Sequence, residues 1–368
     1  MHLARLQRLK SALTETALDC VAAIAGPNLY YLTGLSFHLS ERPTVGFFPR
    51  EGDPVIVAGI LEESKIKSKV PYPLRAFYYT DADGPAAAFR EAATALKLSH
   101  TQLGVENRRM RVMELRFIES AFGKVVIEAA EETFAKLRMI KDSLEIDLMR
   151  QATIIAERAL AATLPQIRAG VTEREVAAEL VVQMLRAGSE AELPFSPIVA
   201  SGPNSALPHA TITDRVLQPG DLLTLDWGAA TGGYFSDLTR TFAIGEIDSE
   251  LKKIYELVKN ANAAGKAAAR PGATCANVDA AARKVIVEGG YGEFFVHRVG
   301  HGLGLEDHED PSMHGQNELR LETGMTFTVE PGIYLPGKGG VRIEDDVIVT
   351  AHGCESLSRY PRELEVIG

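Results

Sequence analysis

Leu222 to Phe242 reads LLTLDWGAATGGYFSDLTRTF. Two β-type runs flank the small-residue segment Ala230-Thr231-Gly232-Gly233, which is the pattern of a hairpin. Folding the chain about the Thr231–Gly232 peptide sets Asp226 opposite Asp237 and Thr224 opposite Thr239, all on one face. Leu223, Leu225, Trp227 and Leu238 take the other face and make it core-facing. Like charges side by side on a sheet repel, so the aspartate pair is costly unless a cation lies between them. A divalent metal is the natural candidate. The plainer alternative is two solvated aspartates on an edge hairpin.

A second stretch repeats the pattern. Phe327 to Tyr334 and Val341 to Val349 flank Pro336-Gly337-Lys338-Gly339-Gly340. Folding about Gly337 brings Glu330 opposite Glu344, with Arg342 on the same face two residues earlier. Phe327, Val329, Ile343 and Val347 turn the opposite way, into a core. Pro331 cannot donate to a ladder, so the strand is expected to be irregular beside Glu330. Solvated surface acids would have to produce two like-charged cross-strand pairs by accident.

Outward from these hairpins, the 368 residues are enough for two domains. The content is ordinary for a globular chain, at 46% hydrophobic and 24% charged. A net charge of -10 without a long basic cluster argues against nucleic acid or an anionic membrane as partner. Cys20, Cys275 and Cys354 lie far apart without metal-type spacing, which fits a reducing compartment. Leu3, Leu6, Leu9 and Leu13 recur at helical spacing among charges, so the N-terminus reads as an amphipathic helix rather than a signal peptide. No apolar run reaches membrane-span length. The cytoplasm is the expected location.

Residues up to about Glu131 alternate strand and helix segments and read as a small α/β domain with its own core. Asp19–Ala25, Thr44–Phe48, Val55–Val57, Gln102–Val105 and Lys124–Ile127 read as strands. Pro85–Leu98 and Val112–Phe122 read as helices, and Gly26-Pro27 as a breaker. Tyr30, Tyr31 and Phe37 suit either the core or a neighbouring pocket. Residues 132–368 then follow one plan twice, two helices and a β-rich segment with acids. The helices are Asp142–Ala169 with Thr172–Ala187, and Ser249–Ala269 with Ala276–Glu288. Thr172 and Glu175 form a capping-box signature. The fold class is α+β.

Five of the nine histidines fall between His209 and His314, and three of those sit in HRVGHGLGLEDHEDP. His2, His38, His100 and His352 read as structural. Four carboxylates balance two divalent ions, and one neutral imidazole favours a transition metal over calcium. Gly300, Gly302 and Gly304 permit close backbone approach around His301. They do not form a phosphate loop, because no Lys-Ser/Thr follows and no dinucleotide fingerprint is present.

With these residues in view, the chain resembles the pita-bread metallopeptidases of the Xaa-Pro branch, the prolidases and aminopeptidase P. The resemblance runs along the whole chain and rests on IVASGPNSALPHA, LLTLDWGA, GYFSDLTRTFAIG, VGHGLGLEDHEDP, FTVEPGIYLP and GVRIEDDVIVT. It implies a creatinase-type N-terminal domain, 1–131, before a pita-bread catalytic domain, 132–368, with a pseudo-two-fold antiparallel sheet and flanking helices. It implies two divalent metals, manganese or cobalt, with zinc or iron also compatible. Their ligands would be Asp226, Asp237, His301, Glu330 and Glu344. His209, His297 and His308 match the substrate-pocket histidines, and Arg342 matches the arginine before the last glutamate, a substrate-binding candidate that would pair either with a substrate carboxylate or with a ligand carboxylate. Glu330 is the expected general base, with His209 and His308 contacting the peptide or the tetrahedral intermediate. The implied reaction is hydrolysis of Xaa-Pro dipeptides or short peptides. The alternatives are an Xaa-Pro aminopeptidase acting on longer chains, a non-catalytic peptide-binding module, and hydrolysis of a non-peptide amide or organophosphate ester as a side activity. The resemblance also implies a homodimer, with Tyr30, Tyr31 and His38–Arg42 as candidates to cap the other subunit's site.

Overall fold

The computed structural model describes residues 1–98 and 101–367, so His100 lies outside the described residues. The chain divides into two compact units, Met1–Arg138 and Met139–Gly368.

In the N-terminal unit the described strands form a mixed sheet. Its order is Arg75–Tyr79, Val55–Gly59, Val45–Pro49, Cys20–Ile24, Gln102–Val105, Val126–Ala129. Leu103, Phe47, Phe89 and Ile118 pack into one core beneath it. The helix Val112–Phe122 and the strand Gln102–Val105 fall where the periodicity puts them. Gly26-Pro27 follows the end of the strand Cys20–Ile24, as expected of a breaker, and also starts the helix Pro27–Thr33. Proline lacks the N–H that a helix leaves unpaired at its first position, so it suits that place. The helix Glu63–Lys69 and the edge strand Arg75–Tyr79 have no counterpart in the sequence reading. Tyr31 is buried, and its hydroxyl donates to the Leu137 carbonyl at 2.8 Å. It is therefore a core residue and not part of an exposed cap, whereas His38, Leu39 and Glu41 are exposed.

The C-terminal unit pairs the helices Ser143–Thr163 with Glu173–Ala187, and Ser249–Ala268 with Cys275–Glu288. The expected capping box is present, with Thr172 accepting from the Glu175 N–H and Glu175 from the Thr172 N–H. Among the described residues, one sheet runs Val366–Ile367, Leu238–Ile244, Leu222–Trp227, Ile198–Ser201. Another runs Glu309–Met313, Gly300–Gly302, Thr326–Val329, Asp345–Thr350, Gly353–Ser356. Leu223, Leu225, Trp227, Leu238 and Phe242 pack with Ala156, Leu160 and Leu180 of the first helix pair. Trp227 Nε1 donates to the Ala156 carbonyl at 3.0 Å, fixing that helix on the sheet.

The aspartate hairpin has the expected faces but a register two residues away from the expected one. Asp226 pairs with Thr239, and Thr224 with Thr241. The cause is the turn. Tyr234 pairs with Thr231, so Gly232 and Gly233 are the central residues, with φ of 58° and 75°. A two-residue hairpin turn with positive φ at both central positions excludes threonine from them. A slip of two keeps every side chain on its face. A slip of one would turn Leu223, Leu225 and Trp227 outward, at roughly 1.5–3 kcal/mol for each apolar side chain exposed. Alternation therefore fixes the face and the glycines fix the register.

The glutamate hairpin has the expected register. Tyr334 pairs with Gly340 and Gly332 with Arg342, and the same register continues through Val329 with Asp345. The ladder breaks around Pro331, between Val329 and Gly332, and Glu330 lies in that break.

Candidate metal centre

All nine sequence-predicted site residues line one cavity of about 360 Å³. Asp226 comes from the strand Leu222–Trp227, and Asp237 from the residue before Leu238–Ile244. His301 lies in Gly300–Gly302, Glu330 in the break after Val329, and Glu344 between Arg342 and Asp345. His209, His297, His308 and Arg342 complete the set. Phe195, Ile198, Pro208 and Tyr334 add an apolar wall.

One ligand atom each of Asp237, His301 and Glu344 lies within 4.8 Å of the others. Two ionised carboxylates at such a distance repel by roughly 3 kcal/mol or more at an effective dielectric of about 20. Burial raises the carboxyls of Asp237 and Glu344 well above the ordinary range, and the neighbouring acids push the same way. Burial pushes Glu330 up to about 7, although Arg342 pulls against it.

His301 is buried, and burial holds its pKa well below the ordinary value, so the ring is neutral. Its Nδ1 donates to the Gly302 carbonyl at 3.1 Å. Nε2 is then a bare lone pair, 3.3 Å from Glu330 Oε1 and 3.6 Å from Asp237 Oδ2. When both carboxyls are ionised, that lone pair is repelled unless a cation lies between them. Gly300 makes this placement possible, because a Cβ there would lie 1.9 Å from the Thr328 carbonyl oxygen.

Arg342 is almost fully engaged. Nη2 donates to Asp226 Oδ2 at 2.6 Å, and Nε to Thr239 Oγ1 at 3.1 Å. Nη1 donates to the Tyr334 hydroxyl at 2.9 Å and to the Pro208 carbonyl at 3.2 Å. His297 closes this chain, with Nδ1 donating to the Arg298 carbonyl at 2.7 Å and Nε2 accepting from the Tyr334 hydroxyl at 2.9 Å. Burial lowers His297 to about 4, in keeping with a neutral ring.

The other oxygen of Asp226, Oδ1, is buried without a partner. Together with the His301 nitrogen and four clustered carboxylates, which Arg342 and Arg298 border, this is a donor set that fits divalent cations. Asp226, Asp237, His301, Glu330 and Glu344 are the residues that would hold them.

Several supporting residues escape sequence reasoning. Thr239 Oγ1 donates to Glu344 Oε2 at 2.6 Å, and Thr328 Oγ1 to Glu330 Oε1 at 3.2 Å. Asp346 Oδ2 accepts the Asp237 N–H at 3.0 Å. Tyr334 was within reach of the pattern, since it lies four residues beyond Glu330 and so on the same face. Behind the site, Asp345 points the other way into Arg240, Arg362 and Lys266, at 2.9, 2.7 and 2.5 Å. Burial alone would raise its carboxyl, but the three cations outweigh it and hold it well below the usual range.

The family model of metallopeptidase family M24 matches residues 147–351, and that of the creatinase/prolidase N-terminal domain matches residues 5–140. The Xaa-Pro dipeptidase of Pyrococcus furiosus is 36% identical over 368 residues, covering 98% of this chain and 99% of its own. A crystal structure of a dipeptidase from Pyrococcus horikoshii OT3 superposes with a TM-score of 0.93 at 40% identity, covering 99% of this chain and 100% of its own. The X-Pro aminopeptidase of Thermotoga maritima superposes with a TM-score of 0.86 at 35% identity, covering 98% of this chain and 99% of its own.

Proposed function

Because this chain belongs to metallopeptidase family M24 and carries a creatinase/prolidase N-terminal domain, we propose that it is an Xaa-Pro dipeptidase. It would cleave the bond between an N-terminal residue and proline with two divalent ions. The observation that carries the reading is the convergence of Asp226, Asp237, His301, Glu330 and Glu344 on one cavity, with Asp226 Oδ1 unpartnered and His301 Nε2 turned to Glu330 Oε1 at 3.3 Å. Manganese or cobalt is the proposed metal pair, since mostly oxygen ligands with one imidazole suit them; zinc and iron fit the same set.

Bound metal would lower the pKa of a water molecule and polarise the scissile carbonyl. Glu330 takes the proton of the attacking water. Thr328 holds the Glu330 carboxylate in place. His209 and His308 hydrogen-bond the peptide and the oxygen that becomes negative as the carbonyl turns tetrahedral. His308 stacks on the His301 ring, with centroids 3.9 Å apart, which fixes it beside the reacting centre. Arg342 and the Tyr334–His297 pair orient Asp226 rather than the substrate. The proline amide carries no N–H, so the leaving nitrogen asks for no acceptor, and its ring suits the apolar wall of Phe195, Ile198 and Pro208.

The N-terminal and catalytic domains are proposed as 1–131 and 132–368. A homodimer in the cytoplasm completes the reading. The three free cysteines fit the reducing cytoplasm. The rival reading is an aminopeptidase that trims longer chains. A comparison of Gly-Pro-type dipeptides with tri- and tetrapeptides separates the two. Dipeptidase action requires the free carboxylate directly on proline, so faster turnover of the longer peptides would overturn it.

A further inference from the structure

The geometry points to Glu173 as the residue that positions His209 for the reaction. The inference rests on the reading of His209 as a substrate contact. Glu173 is the first residue of the helix Glu173–Ala187 and is completely buried. Its Oε1 accepts from the Ser201 N–H and hydroxyl, both at 2.8 Å, and from Asn204 Nδ2 at 3.0 Å. Its Oε2 accepts from the Thr213 N–H at 3.1 Å and hydroxyl at 2.5 Å. Burial would raise this carboxyl, but these donors outweigh it and hold it below its ordinary value. A helix N-terminus favours the same charge. One anion therefore ties together residues 201 and 213, the two ends of the loop that carries Pro208 and His209.

The middle of the loop is tied elsewhere. Ser205 Oγ accepts from the Gly340 N–H at 2.8 Å, and the Pro208 carbonyl accepts from Arg342 at 3.2 Å. Among the described residues no hydrogen bond holds the His209 ring, which lines the cavity. The backbone sets where that ring lies, and Glu173 ties both of its ends, beside Arg215 Nη1 on the Ser201 hydroxyl at 2.7 Å and Asn204 Nδ2 on the Thr213 hydroxyl at 3.3 Å. Glu173 touches neither the cavity nor any proposed metal ligand, so its effect on the reaction must pass through the loop.

A double-mutant cycle on the metal-loaded enzyme tests this. Glu173→Gln keeps the size but turns one acceptor into a donor facing donors. It is expected to lower kcat about 10- to 100-fold, as displacement of a positioned group does, with metal content unchanged. His209→Ala alone should lose about 100- to 1,000-fold, as expected for a hydrogen-bond donor to the developing charge. In the His209→Ala background, Glu173→Gln should cost almost nothing more. If Glu173→Gln fails to fold by circular dichroism, Thr213→Val removes one donor to Glu173, together with the acceptor of Asn204 Nδ2 and the Arg215 N–H, and carries the same cycle. Equal loss in both backgrounds, or loss of bound metal, would overturn the role of Glu173. Parent-rate turnover by His209→Ala would instead overturn the reading of His209.

Discussion

Thr239 and Glu344 hold each other twice. The Thr239 hydroxyl donates to Glu344 Oε2 at 2.6 Å, and the Glu344 N–H donates to the Thr239 carbonyl at 3.1 Å. These bonds join the aspartate hairpin to the glutamate hairpin at the cavity, alongside Arg342 on Asp226 and Asp346 on the Asp237 N–H. Thr239→Val keeps the backbone bond and the shape but frees the Glu344 carboxylate. Loss of such an orienting partner costs about 10- to 100-fold in metal affinity. Calorimetric titration of the metal-free protein should read that loss, with the unfolding temperature lowered as well because Arg342 Nε loses its acceptor in Thr239 Oγ1; unaltered affinity would contradict it.

Asp345 pairs with Arg240, Arg362 and Lys266 in the layer behind Glu344. Removing one partner of a buried ion pair costs on the order of 3–5 kcal/mol, so Asp345→Asn should be strongly destabilised in urea at pH 7. The pH dependence has a definite sign. The folded carboxyl lies well below its unfolded value, so its contribution is complete above about pH 4 and lost as pH falls toward the folded value. With metal removed by a chelator at both pH values, the gap between parent and variant should narrow from pH 7 to pH 3. A constant gap would contradict the charge account.

Gly300 lies against the Thr328 carbonyl with no room for a Cβ. Gly300→Ala must part the strand carrying His301 from Thr326–Val329, and overpacking of this kind costs about 1–3 kcal/mol or more. The expected outcome is a lowered unfolding temperature with weakened metal loading. Parent-level values of both would show that the approach is not required.

The faces of both hairpins were legible because alternation is a property of each strand by itself. The register of the glutamate hairpin was legible because Pro336-Gly337-Lys338-Gly339-Gly340 marks its own centre. The aspartate hairpin misled by two residues, since four small residues offer two turn centres and only positive φ at Gly232 and Gly233 decides between them. Thr239 on Glu344, Asp346 on Asp237 and Arg240 on Asp345 were not legible. Each joins residues about a hundred positions apart, through contacts that only the packed fold defines. Arg75–Tyr79 was missed for a local reason: it is an edge strand, half exposed and without clean alternation.

The most direct test of the two-metal reading is metal content measured beside Xaa-Pro hydrolysis, for the parent and for Asp237→Asn. The parent should bind two divalent ions per chain and cleave Gly-Pro-type dipeptides. Asp237→Asn should fold, lose metal and lose turnover together. A variant that kept its metal and hydrolysed at the parent rate would contradict the assignment of the centre.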